Sequence, residues 1–129
     1  MISGTSFVIE DAVFVSAACR GLRRGVADAS EIAEVQAQCA SEHALCLSCE
    51  DGFAVVELRP QDDVLELFVW IAVAFKHGFY ERQDAALDAI GRDLGATQVA
   101  FQSRRRGWGR RLALTWRKRG SDEFVRQIS

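Results

Sequence analysis

The most distinctive chemistry of the chain lies in one segment, Arg104-Arg105-Arg106-Gly107-Trp108-Gly109-Arg110-Arg111. A guanidinium fork binds phosphate or carboxylate through paired hydrogen bonds, and an indole stacks on a base or another ring. Arg104, Arg105, Arg106, Trp108, Arg110 and Arg111 are therefore a candidate site for a phosphate, a nucleic acid or an acidic partner, provided that the arginines share one face. In the alternative reading Trp108 anchors the loop in the core, and the arginines are solvated or pair with acids of the N-terminal helices. The charge distribution favours neither. Residues 1–63 hold eleven acids against four bases and residues 64–129 seven against twelve, so the net charge of −2 conceals a basic patch in an acidic chain.

Two other groupings could do chemistry. Cys46 and Cys49 have the Cys-x-x-Cys spacing of a redox pair or half a zinc site. They fall in a segment that reads as a strand, which sends the two thiols to opposite faces, and no second ligand pair accompanies them. Buried free thiols and no metal are expected. His77 beside Gly78 could be a general base at a strand end, or an exposed loop histidine.

The elements that must position these residues follow from hydrophobic period. Phe7 and Ile9 alternate with polar neighbours as a short strand, Asp11 can cap a helix from Ala12 to about Arg24, and Arg20, Arg23 and Arg24 then read as its solvated face. Asp28 and Glu31 open a second helix, with Ile32, Val35 and Cys39 on one face and Glu31, Glu34 and Gln38 able to meet water. Leu45 to Cys49, Phe53 to Arg59 and Val64 to Phe75 read as an antiparallel meander, turned by Asp51-Gly52 and by Pro60 to Asp63. The third of these strands is apolar enough to be covered on both faces. A helix from Phe79 presents Leu87, Ile90 and Leu94 as one stripe and ends at Gly95. A strand from Thr97 to Gln102, a short helix reaching Ala113, and strands Leu114 to Lys118 and Glu123 to Ile128 complete the chain. Trp70 and Trp116 then belong to strands, as core or sheet-face residues.

The resulting order, β-α-α-β-β-β-α-β-α-β-β, resembles the GNAT N-acetyltransferase superfamily. The implied fold is α/β (α+β), with a mixed central sheet of six to seven strands, three to four helices and a single domain spanning residues 1–129. The stretch from the central strand through Asp93-Leu94-Gly95-Ala96 to Arg105-Arg106-Gly107-Trp108 also resembles small GNAT-like proteins of tailed phages and prophages. The family carries a Gln/Arg-x-x-Gly-x-Gly/Ala loop between its fourth strand and the next helix, whose backbone N–H groups hold the pyrophosphate of acetyl-CoA. Here that junction reads Lys76-His77-Gly78-Phe79-Tyr80-Glu81-Arg82-Gln83, which keeps one glycine and places bulk and a negative charge at the helix start. By the resemblance Lys76, His77 and Gly78 are the cofactor-binding positions. Family members often use a tyrosine after the fifth strand as acid and a carboxylate or water as base. The candidates here are Tyr80, the chain's one tyrosine, which lies at the other junction, and Glu57 and Glu66, which as strand carboxylates could equally face solvent.

The expectation is a GNAT-fold protein of phage or prophage type, working without a cofactor and binding another macromolecule as a virion component or host-directed factor. A diverged N-acetyltransferase that takes acetyl-CoA is the alternative, and nucleic-acid or phosphate binding through residues 104–111 is the third. No apolar window is long enough for a membrane helix, and the first residues lack a basic and apolar leader, so the cytoplasm is expected. Dimerisation through the C-terminal hairpin is a further expectation.

Overall fold

The computed structural model describes residues 7–10, 29–74, 79–102 and 116–128, with positions 29, 73, 74 and 79–82 described by backbone alone. These residues form strand β1 (Val8–Glu10), helix α1 (Ala29–Ala40), strands β2 (Leu45–Cys49), β3 (Gly52–Gln61) and β4 (Val64–Ala74), helix α2 (Phe79–Leu94), and strands β5 (Gln98–Gln102), β6 (Trp116–Arg119) and β7 (Glu123–Gln127). The strands make one mixed sheet in the order β1-β2-β3-β4-β5-β7-β6. Only β4 and β5 run parallel, because α2 carries the chain back across the sheet between them. Two helices are found among the described residues; the expected helix over residues 12–24 and the short one reaching Ala113 lie outside them.

The sheet buries both faces. On one, Leu87 and Ile90 of α2 pack against Leu47, Ala54, Val56, Leu67, Val69 and Val99. On the other, Val35 of α1, with Ile32 and Cys39, covers Cys46, Phe53, Val55 and Ile71. Fully burying each such side chain contributes about 2 kcal/mol. Cys46 and Cys49 do point to opposite faces, each in a different cluster; neither is in a disulfide, and Cys46 is buried while Cys49, against expectation, is half-buried.

The turns are legible to within a residue, though their mechanism shifts. The β2–β3 loop is Glu50-Asp51, with Cys49 paired to Gly52 as the first ladder residue. Gly52 has no positive φ, so it does not act as the left-handed residue of an Asp-Gly turn. Pro60 and Gln61, expected in the next turn, remain in the ladder opposite Leu65 and Val64, and the reversal falls on Asp62 at φ 53°. Gly95 caps α2 as expected: at φ 86° it lets Ala96 N–H reach Gly91 C=O at 2.7 Å while Gly95 N–H bonds Arg92 C=O at 3.2 Å. That pair of bonds is a Schellman motif, which needs the left-handed residue. Leu94 departs from the expected stripe: it is exposed, because the helix ends there and the buried stripe instead runs back to Gln83.

Strand β4 contains one irregularity, which decides the face each of its side chains meets. The β3–β4 register shifts between Val55, opposite Ile71, and Val56, opposite Val69, which leaves Trp70 as an extra residue in β4. A bulge of this kind reverses side-chain alternation. Leu67 and Val69 accordingly face α2, while Ile71 faces α1.

Candidate functional site

The parallel ladder between β4 and β5 covers only Glu66–Val69 against Gln98–Phe101. It stops at the bulged Trp70, although β4 continues to Ala74 with β3 on its other side. Beyond Val69 the two strands share no ladder pair among the described residues, so their pairing opens at the C-terminal ends. Helix α2 starts four residues after β4, so its first N–H groups, which no helical carbonyl can satisfy, lie at the same edge of the sheet. Lys76, His77 and Gly78 belong to that connection and lie outside the described residues. Tyr80 is in the first turn of α2, where only its backbone is described.

The helix is held over this opening by a polar cluster on the α2 face. Arg126 of β7 is 6% exposed, and its Nη1 lies 2.6 Å from Asp88 Oδ1 while its Nη2 donates to the Asp84 carbonyl at 3.1 Å. Its guanidinium sits 5.1 Å from the Trp116 ring centre, and Trp116 Nε1 donates to Asp84 Oδ2 at 3.3 Å. Phe101 meets Trp116 edge-on and stacks on Phe124. The cluster is incompletely satisfied. The Asp88 contact is an ion pair without hydrogen-bond alignment, and Asp88 Oδ1, Arg126 Nε and Gln83 Oε1 are buried with no hydrogen-bond partner.

The α1 face of the same strands carries a second polar cluster. Glu66, one of the two candidate bases, is fully buried rather than solvent-facing. Its carboxylate accepts from Arg119 Nη1 at 2.7 Å, Arg119 Nη2 at 3.2 Å and Gln98 Nε2 at 2.7 Å. Arg119 Nε donates in turn to Glu123 at 2.8 Å, and Gln127 Nε2 to Gln98 at 3.2 Å. Two strands separate β4 from β6, and Arg119 stands at the level of Gln102, four residues along β5 from the Gln98 that neighbours Glu66, so the contact runs diagonally across this face of the sheet. Donation to Glu66 raises the Arg119 pKa above its ordinary value, with Glu123 adding to the effect against the opposing cost of desolvation.

Glu57, the other candidate base, lies on β3 opposite Phe68 and pairs with Arg59, whose guanidinium rests 3.6 Å from the Phe68 ring centre. Neither carboxylate is at the opening: Glu66 stands at the start of the parallel ladder and Glu57 opposite its third residue, Phe68. Arg104, Arg105, Arg106, Trp108, Arg110 and Arg111 lie outside the described residues. Sequence reading passed over Gln83 and Arg126. For Gln83 a signal existed, since it precedes Leu87 by four and Ile90 by seven and so extends the apolar stripe with a polar residue.

No protein-family model matches the chain, and no match was found among curated proteins. Solved structures do match. The chain is similar to the PaiA N-acetyltransferase of Thermoplasma acidophilum in complex with coenzyme A, at 10% identity and a TM-score of 0.56 over 95% of this chain and 99% of that one. It is similar to a chain of the NatC complex bound to Gag peptide and CoA, at 8% identity and a TM-score of 0.61 over 97% and 100% of the two chains. An acetyltransferase of the GNAT family from Listeria monocytogenes matches at 10% identity and a TM-score of 0.57, over 98% of this chain and 96% of that one. At such identities the likeness is one of architecture, and the architecture of this chain is the GNAT fold.

Proposed function

We propose that this protein binds coenzyme A in the opening between β4 and β5 and is a diverged N-acetyltransferase. The carrying observation is the end of the parallel ladder before Trp70, where the pairing of β4 with β5 stops directly ahead of the α2 N-terminus. The residues present fit the ligand's chemistry. The α2 N-terminus and the connection that holds Lys76, His77 and Gly78 would receive the pyrophosphate, and a buried polar atom at Gln83 lacks a partner. Two structures of similar fold contain coenzyme A, and nothing in the fold favours the expectation that no cofactor binds. Bound acetyl-CoA would supply a thioester whose carbonyl carbon accepts an amine.

The departures in this chain concern proton handling. Glu66 is held by Arg119 and Gln98, and Glu57 by Arg59, so each candidate base already serves another partner. Tyr80 remains the candidate acid, by its place at the start of α2. Calorimetric titration with acetyl-CoA and CoA tests the reading, alongside a Gly78→Glu variant that places a second carboxylate at the helix start. Micromolar binding by the parent protein, lost in the variant, is the expected result. No binding at millimolar ligand would overturn it. The GNAT fold would then be a scaffold for a macromolecular partner, with residues 104–111 the first place to look for a virion protein, an acidic partner or a nucleic acid.

A further inference from the structure

Gln83 is the polar member of an otherwise apolar stripe, and its carboxamide oxygen is buried without a hydrogen-bond partner. Leaving such an atom unpaired is costly, so an orphan of this kind calls for an explanation. Its position supplies one. Leu87 and Ile90 pack against Leu67, Val69 and Val99, the paired parts of β4 and β5. Gln83 lies four residues before Leu87, about 5.4 Å nearer the start of α2. Because α2 begins after the C-terminal end of β4 and ends before β5 begins, that displacement runs toward the C-terminal ends of the two strands. The last parallel pair is Val69 with Phe101, so one further turn of helix carries Gln83 to the place where the strands part.

The seat of the side chain is fixed from outside. Asp84 and Asp88, its neighbours on α2, are tied to Arg126 and Trp116 of the C-terminal hairpin. These bonds fix the rotational setting of α2 on the sheet, and with it the side of the helix that carries Gln83.

We propose that Gln83 is a ligand-positioning residue whose inward Oε1 accepts an amide N–H from the pantetheine arm of coenzyme A. This rests on the reading of the opening as a coenzyme site and adds a side-chain contact to the helix-terminus groups already assigned. The arm carries secondary amides, so it can offer the donor that the oxygen lacks; the nucleotide half would not reach this contact.

The test is calorimetry on the full chain and on Gln83→Met, with CoA and with 3′,5′-ADP, which lacks the arm, together with thermal melting of both proteins without ligand. Removal of an unpaired buried oxygen predicts a higher melting temperature for the free variant. Loss of one hydrogen bond predicts CoA affinity weakened about tenfold, with 3′,5′-ADP affinity unchanged. An unaltered CoA affinity in a variant that still folds would sink this proposal and leave the coenzyme reading standing. A parent protein that binds no CoA would sink both. Should the variant fail to fold, the side-chain amide NMR signal of Gln83 in the parent protein decides: it shifts with CoA and stays in place with 3′,5′-ADP, and the opposite result overturns the contact.

Discussion

Two buried polar clusters sit on opposite faces of the same strands and differ in how completely they are satisfied. On the α1 face, the carboxylate of Glu66 takes three donors, two of them from Arg119, whose Nε donates to Glu123. On the α2 face, Gln83 Oε1, Asp88 Oδ1 and Arg126 Nε lack hydrogen-bond partners. The first network holds its buried carboxylate on three donors and acts as a staple between β4 and the C-terminal hairpin. The second leaves buried polar atoms without hydrogen bonds near the end of the parallel ladder. Burial of charge is thus common to both clusters, and completeness of hydrogen bonding is what separates them.

The sharpest way to break this contrast is to remove a charge from the first cluster. Arg119→Met leaves Glu66 buried without its cation, which costs about 3 kcal/mol and lowers the melting temperature by about 10 °C. Adding Glu66→Leu to that variant should recover most of the loss, because an apolar pair can replace a buried ion pair. Failure to recover would show that the α1 face uses the charge for more than cohesion. The raised Arg119 pKa sets the pH behaviour of the staple. A cation whose folded pKa lies above its unfolded one loses its contribution only as pH climbs through the folded value, here beyond any working range, so alkaline titration to about pH 10 should leave this contribution intact.

A weaker effect is expected from the second cluster. Arg126→Met keeps the bulk under Trp116 but removes the Asp88 ion pair and the bond to the Asp84 carbonyl, for a cost of about 2 kcal/mol in urea unfolding. It also loosens the seat of α2, so CoA affinity should fall with it. Smaller still is Gly95→Ala, which forces a methyl-bearing residue to φ 86° at the helix end, at about 1 kcal/mol. Its effect should be on stability alone, since Gly95 lies at the far end of α2 from the opening.

The difference between the clusters also explains what could be read from the chain. The meander, α2 and its cap were legible because each is written in local period and turn chemistry: Leu87 and Ile90 four and seven residues after Gln83, Gly95 after the last turn, Asp62 at the reversal. The bulge at Trp70 was not, since an extra residue within a uniformly apolar run leaves no mark on its pattern. The staple was equally hidden. Glu66 and Arg119 are 53 residues apart and meet only across four strands of the sheet. Glu31 shows the same limit on a smaller scale: placed on the wet face of α1 by its period, it instead accepts from Trp70 Nε1 at 3.2 Å.

Glu57 offers the finest test of the contrast, because it carries the same carboxylate as Glu66 in a wetter place. Its partner Arg59 has a side chain 45% exposed, and solvent screens such a pair to a few tenths of a kcal/mol. Arg59 keeps its seat over Phe68 without it, since the ring face attracts the guanidinium independently. Glu57→Gln should therefore shift the urea midpoint by less than about 0.5 kcal/mol. In an acetyl-transfer assay it should leave kcat unchanged, because Glu57 stands away from the parted ends of β4 and β5. A loss above about 1 kcal/mol would instead place Glu57 in the buried network with Glu66, and a fall of about a hundredfold in kcat would make it the base despite its distance from the opening.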